Sequence, residues 1–188
     1  TYFRGLEAYS AGDMRAAQRY LAESAAINVS PKYSALNSFW QGEIAFAQGD
    51  YTVAAAKYNA YLKRAPCSED EYAMVLYNLG YCDFSRKDMA GARSAFEKFL
   101  EAYPARDRYR ADAYNRLGDI RYSDREFEAA VGDYDRAVAL NTPERYYAQY
   151  KRAVTLGILG RTEPKLQALR QIVAAGQGDY VDAASYEL

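Results

Sequence analysis

The side chains that most often do chemistry are scarce in this chain. It contains no histidine, which removes the commonest general base and the commonest metal ligand near neutral pH. Its two cysteines, Cys67 and Cys82, cannot complete a four-ligand zinc site without other donors. Cys67 falls in a connection and Cys82 about a dozen residues into the helix that follows, on the order of 18 Å along the axis. A disulfide needs Cα atoms within about 7 Å, so these two are not expected to pair, and Cys82 reads as a small packing residue. Asp133 and Asp135 are a carboxylate pair, but two apart on a helix they point to different faces and read as solvated charges. No G-x-x-x-x-G-K-[ST] phosphate loop occurs. Asn28-Val29-Ser30 matches a glycosylation sequon, although Pro31 follows it and the motif is common by chance. No catalytic, cofactor-binding or metal-binding constellation emerges, so the chain is not expected to be an enzyme or to carry a cofactor.

What it has instead is aromatic side chains, including 20 tyrosines. A large rigid ring with a polar tip suits a binding surface, because it buries much area at low entropic cost. Whether the rings can act together depends on the elements that carry them.

Those elements repeat. Residues 71–104 form two amphipathic stretches with a polar break at Ser85-Arg86-Lys87-Asp88. Leu76, Leu79, Gly80 and Phe84 recur at helical steps before it, and Met89, Ala92, Phe96, Phe99 and Leu100 after it. Pro104 lies where the second helix could not continue. Gly42, Gly80 and Gly118 are spaced by 38 (80 − 42 and 118 − 80). Ala54, Ala92 and Ala130 keep that step, as do Tyr58, Phe96 and Tyr134. A weaker copy precedes these, with Gly5, Gly12-Asp13, Ala17 and Leu21. Another follows, with Ala153, Gly160-Arg161 and Leu169, but with Lys165 in the alanine place. A fixed period of this size means stacked repeats, each too small to bury its own apolar face.

Expected helices span 1–11, 13–28, 31–48, 51–64, 69–86, 89–103, 107–124, 127–140, 143–159, 162–175 and 179–188, with no competing strand signal. Helix starts are signalled by Ser30-Pro31, by Thr142-Pro143-Glu144, by the Ser68-Glu69-Asp70-Glu71 capping box, by Asp107 and by Asp179. Gly176-Gln177-Gly178 should break a helix. Repeats are placed at 1–30, 31–68, 69–106, 107–142 and 143–178, with a partial helix at 179–188. No linker divides this single array. Both ends cut through a repeat, so a piece of a longer array is expected, with apolar residues uncovered near Leu6 and Tyr186 that would invite self-association.

Leu79-Gly80, Leu117-Gly118, Gly49-Asp50-Tyr51, Ala54 with Tyr58, and the closing Pro66 and Pro104 resemble the signature of the tetratricopeptide repeat (TPR) over nearly the whole chain. The resemblance implies an all-α, right-handed superhelical solenoid of helix-turn-helix units. The spacing of 38 exceeds the family's usual thirty-four. With the phrase from Phe96 to Pro104, it looks like the longer repeats of bacterial cell-envelope TPR proteins, among them the Tol–Pal-associated periplasmic protein and the lipoprotein subunit of the outer-membrane assembly machine. That likeness implies a periplasmic or cell-envelope location.

In the family the concave surface takes residues three before, one after and four after the small residue of each first helix. Here these are Phe39, Glu43 and Phe46, then Tyr77, Tyr81 and Phe84, then Asn115, Asp119 and Tyr122, then Tyr150 and Val154, with Tyr2, Leu6 and Tyr9 leading in. The family's carboxylate clamp is not kept. Asn78 and Arg116 fit it, but Phe39, Glu43 and Asp112 stand in its other places, and the two acids would repel a carboxylate. A net charge of −1 gives no one-sided basic surface for nucleic acid, and no apolar run is long enough to span a membrane. The expected function is a non-catalytic scaffold that binds a protein or peptide in its concave groove. A sensory arm of a larger signalling protein and a self-assembly module are the alternatives.

Overall fold

The structure, a computed structural model, describes residues 1–27, 30–66 and 70–188. Among them the chain forms helices and turns, with no strand. Two compact units separate at Thr1–Ala102 and Tyr103–Leu188.

The first unit holds α1 (Tyr2–Ser10), α2 (Met14–Ile27), α3 (Pro31–Ala47), α4 (Tyr51–Leu62), α5 (Glu71–Ser85) and α6 (Met89–Ala102). Helices pair as α1 with α2, α3 with α4, and α5 with α6, and each pair packs on the next. The first helices also touch one another in sequence, α1 with α3 and α3 with α5. The second unit holds α7 (Arg108–Ser123), α8 (Phe127–Ala139), α9 (Arg145–Ile158), α10 (Thr162–Ala175) and α11 (Val181–Tyr186). Its pairs are α7 with α8 and α9 with α10; α7 also touches α9, and α11 packs on α10.

One contact sets the register of the first four pairs. The small residue of the first helix lies under a large side chain of the second. A Cβ at Gly42 would stand 2.7 Å from the Tyr58 ring, at Gly80 2.7 Å from Phe96, and at Gly118 2.5 Å from Tyr134. Gly5 meets Leu21 in the same way, at 2.8 Å. Tyr58, Phe96 and Tyr134 are fully buried, as are Ala17, Ala54, Ala92 and Ala130 one turn earlier. The fifth repeat breaks the pattern by an exchange of sizes. Lys165 replaces the alanine, and Gly157 stands opposite where the other copies carry Tyr9, Phe46, Phe84 and Tyr122. A Cβ at Gly157 would lie 2.9 Å from the Lys165 side chain, so the lysine stem lies in the space the missing ring leaves. Its amine reaches Glu187 at 2.6 Å.

The turns explain how each pair closes. Gly49, Lys87 and Arg125 all adopt left-handed backbone, with φ of 76°, 63° and 62°. Asp13, Asp50 and Asp88 then cap the second helices, each accepting from a backbone N–H three residues on at 2.9–3.0 Å. That satisfies one of the donors a helix start leaves open.

Several expected starts differ. Ser30 is at the N-cap of α3 before Pro31, yet its hydroxyl makes no capping bond. Thr142 and Pro143 lie in a turn ahead of α9, whose N-cap is Glu144, and the Thr142 hydroxyl is buried without a partner. Asp179 also lies one position too early, since the N-cap of α11 is Tyr180. Asp107 does cap α7, accepting from the amides of Tyr109 and Arg110. Gly176, left-handed at φ 60°, closes α10. The sequon residues Asn28 and Val29, together with Cys67, Ser68 and Glu69, lie outside the described residues.

Candidate functional site

The expected binding residues come from the first helix of each pair, and a helix offers them together because steps of three and four share a face. In the first unit, Tyr77 and Tyr81 on α5 pack edge to face at 5.1 Å. Their inner sides rest on the buried second helix: Tyr81 on Phe96 at 5.5 Å, and Tyr77 on Phe99 at 5.2 Å. Both rings remain half-buried, as does Phe84 one step further. Phe46 on α3 is half-buried too, beside Tyr51 at 5.6 Å and Tyr58 at 6.4 Å. Phe39 differs. It is 8% exposed, enclosed by Trp40 and Tyr61, and so belongs to the core.

Glu43 links two repeats. One carboxylate oxygen, Oε1, accepts from the Tyr58 hydroxyl at 2.7 Å and from the Asn78 amide at 2.9 Å. Burial first and the Glu43 charge second hold the Tyr58 hydroxyl far above its ordinary range, so it stays a donor. Tyr9 lies near enough to feel the same carboxylate, though burial is the larger reason its hydroxyl is raised.

The second unit repeats this arrangement with other partners. Asp119 accepts from the hydroxyls of Tyr134 at 2.8 Å and Tyr147 at 2.6 Å. It also pairs with Arg116 at 2.9 Å and Lys151 at 3.8 Å. Lys151 stands 4.6 Å from the Tyr122 ring centroid and Arg116 5.1 Å from that of Tyr147, which adds cation–π attraction. Tyr122 packs on Phe127 at 5.5 Å, and Tyr150 stacks on Tyr180 at 5.2 Å and 17°. Asn115 is buried, 1% exposed, and spends its amide on the backbone carbonyl of Glu144 at 3.0 Å.

The sequence-derived set therefore divides. Phe46, Tyr77, Tyr81, Phe84, Tyr122 and Tyr150 are partly buried rings, Glu43 and Asp119 are partly buried acceptors, and Phe39 and Asn115 face inward. Trp40, Tyr147 and Lys151 were missing from it. Trp40 donates to the Tyr2 hydroxyl at 3.0 Å and packs on Tyr9 at 5.0 Å. A usable signal existed for two of these, since Trp40 and Lys151 each lie two residues before a register residue, Gly42 or Ala153.

Asn78 and Arg116, the surviving clamp residues, are turned onto Glu43 and Asp119. Asp133 is not a solvated charge. It is fully buried, between Arg121 and Arg136, while Asp135 is exposed and paired with Arg152. Cys82 is a free, buried thiol, pushed up to about 12 by burial and then by Asp83. Among the described residues no group of three or more histidine, cysteine or acidic side chains is placed to hold a metal ion. No helix among them is long and apolar enough to cross a membrane.

A family model for the tetratricopeptide repeat matches residues 4–69, 41–107 and 115–180. The chain belongs to the tetratricopeptide-repeat family. This TPR chain also resembles solved structures at the level of fold. A MamA protein matches with TM-score 0.76 and 17% identity, covering 98% of this chain and 92% of that one. YrrB, described as a TPR protein with an unusual peptide-binding site, matches with TM-score 0.79 and 15% identity over 98% and 89%. MamA from Desulfovibrio magneticus RS-1 matches with TM-score 0.70 and 22% identity over 90% and 89%. No curated protein matches the sequence significantly.

Proposed function

We propose that this chain is a non-catalytic interaction scaffold whose first helices hold a peptide segment of a partner protein. The observation that carries this reading is the aromatic face of the first unit. Phe46, Tyr77, Tyr81 and Phe84 are half-buried, each seated on its neighbours yet left with surface to offer. Rings fixed in this way lose little entropy when a ligand covers them, which is the character of an interface anchor. The fold shared with YrrB, a TPR protein described with a peptide-binding site, lends support.

The test pans a phage-displayed random peptide library against the wild-type chain and against Tyr77→Ala/Tyr81→Ala. Peptides enriched on the wild type should lose binding to the double variant, whose helical content and melting are checked first. Equal binding to both would move the surface off this face.

Self-association is a second reading, favoured by large apolar side chains in water: Phe3 is 64% exposed and Tyr186 92%. Exposed apolar surface of this kind drives association. Light scattering across a concentration series should then show mass increasing with concentration, an increase lost in Phe3→Ser/Tyr186→Ser. A constant monomer mass would end that reading.

A further inference from the structure

The two units build the same carboxylate site and finish it differently. Asp119 follows Gly118 as Glu43 follows Gly42, and each accepts from the buried tyrosine of its own repeat, Tyr134 or Tyr58. Around Asp119, two cations complete the site. Arg116 lies two residues before Gly118 on the same helix, and Lys151 two residues before Ala153 on the next first helix.

The equivalent places around Glu43 hold no cation. Trp40 lies two before Gly42, and Asn78 two before Gly80. Asn78 occupies the Lys151 place and does reach the carboxylate, but as a neutral donor. Among the described residues no hydrogen bond reaches Glu43 Oε2, and no lysine or arginine pairs with Glu43. Of the nine face positions in this unit (Tyr2, Leu6, Tyr9, Phe39, Glu43, Phe46, Tyr77, Tyr81 and Phe84) it is the one formal charge. The site is therefore a negative group among aromatic rings, with Tyr9 and Trp40 5.0 Å apart on one side and Phe46 one turn along α3. Ring faces attract cations, and a carboxylate between them attracts the same ligand more strongly.

We propose that a lysine or arginine side chain of the bound peptide supplies the missing cation at Glu43, flanked by Tyr9, Trp40 and Phe46. The proposal rests on the peptide-scaffold reading and names its ligand chemistry. A ligand lacking this charge leaves Glu43 partly desolvated without compensation, so the site selects against neutral and acidic segments.

The experiment uses peptides enriched from the phage-displayed random library, resynthesised with a fluorophore and titrated against the whole chain by anisotropy. Enriched sequences should carry lysine or arginine beside apolar residues. Replacing that residue by glutamine in the peptide should weaken binding about tenfold. Glu43→Gln keeps an acceptor for the Tyr58 hydroxyl and removes only the charge, and should weaken binding by the same factor. Asn78→Lys installs the cation found in the second unit and should do likewise. The peptide change should then have no further effect on either variant.

Peptides that lose binding with Tyr77→Ala/Tyr81→Ala but carry no basic residue, or ignore Glu43→Gln, overturn the cation assignment and leave the scaffold reading standing. Peptides that ignore the tyrosine variant overturn both. A dimer that forms without peptide and dissociates in Glu43→Gln gives the face to a second copy and overturns the peptide assignment. The glutamine-substituted peptide tests the charge on unaltered protein, so a variant that misfolds does not remove the test.

Discussion

Gly80→Ala should destabilise the protein, although Gly80 lies inside α5 and alanine is the better helix former. The added Cβ would stand 2.7, 2.8 and 2.9 Å from three atoms of the Phe96 ring. Carbon atoms rest at about 3.5–4.0 Å, so the ring has to retreat by roughly 0.8 Å. It has nowhere to go, being fully buried and packed against Tyr81 at 5.5 Å and Tyr77 at 6.1 Å. Overpacking of this kind costs about 1–3 kcal/mol, and removing a helical glycine returns about 1 kcal/mol. The net loss should therefore be about 0–2 kcal/mol, so the glycine gain is cancelled or outweighed. Gly132 in α8 is the internal control, since a Cβ there meets nothing within 4 Å. Gly132→Ala should therefore stabilise by about 0.5–1 kcal/mol. Urea denaturation followed by circular dichroism reads both, and the midpoints should move in opposite directions. A Gly80→Ala midpoint raised as far as that of Gly132→Ala would refute the glycine–ring register.

Ala92→Leu probes the same layer, because Ala92 is fully buried; it should lower stability by about 1–3 kcal/mol, and an unchanged midpoint would contradict the packing. High pH should be the weak flank of this fold. Tyr58, Tyr134 and Tyr147 are raised above the ordinary 10.0, first by burial and then by the carboxylates they donate to, and Tyr103 is pushed up to about 12, chiefly by its hydrogen bond to Asp107. The folded state thus holds protons that the unfolded chain releases, so stability present below pH 10 should fall as pH rises towards 12 and beyond. Tyrosinate absorbance and circular dichroism recorded together check this: these hydroxyls should ionise only as helix is lost, and full titration near pH 10 with helix intact would contradict it.

Helix positions and register were legible because both rest on local information: a 3.6-residue apolar period and a small residue recurring with its large partner. Gly80 and Phe96 each recur at a step of 38 in the sequence, while the contact between them is a matter of how the two helices pack. The face was legible only in part. Phe39 and Asn115 sit at the same register place as Tyr77, yet contacts with Tyr61 and Glu144 turn them inward. Those contacts depend on how one pair packs on its neighbour, which a single helix does not encode. Asp133 illustrates the same limit, since its cations come from Arg121 on α7 and Arg136 on α8. Among the caps, Ser30 has the extended backbone of an N-cap yet its hydroxyl makes no capping bond, and Thr142 lies two residues before the actual N-cap, Glu144.

The most direct measurement of the central claim is aromatic NMR of the chain, with 13C-labelled tyrosine and phenylalanine, titrated with a peptide enriched from the library. The account predicts that shifts concentrate on Phe46, Tyr77, Tyr81 and Phe84, while the buried rings of Phe96 and Phe99 behind them move little. Shifts confined to the outer faces of the second helices α4 and α6, with Tyr77 and Tyr81 unmoved, would contradict it.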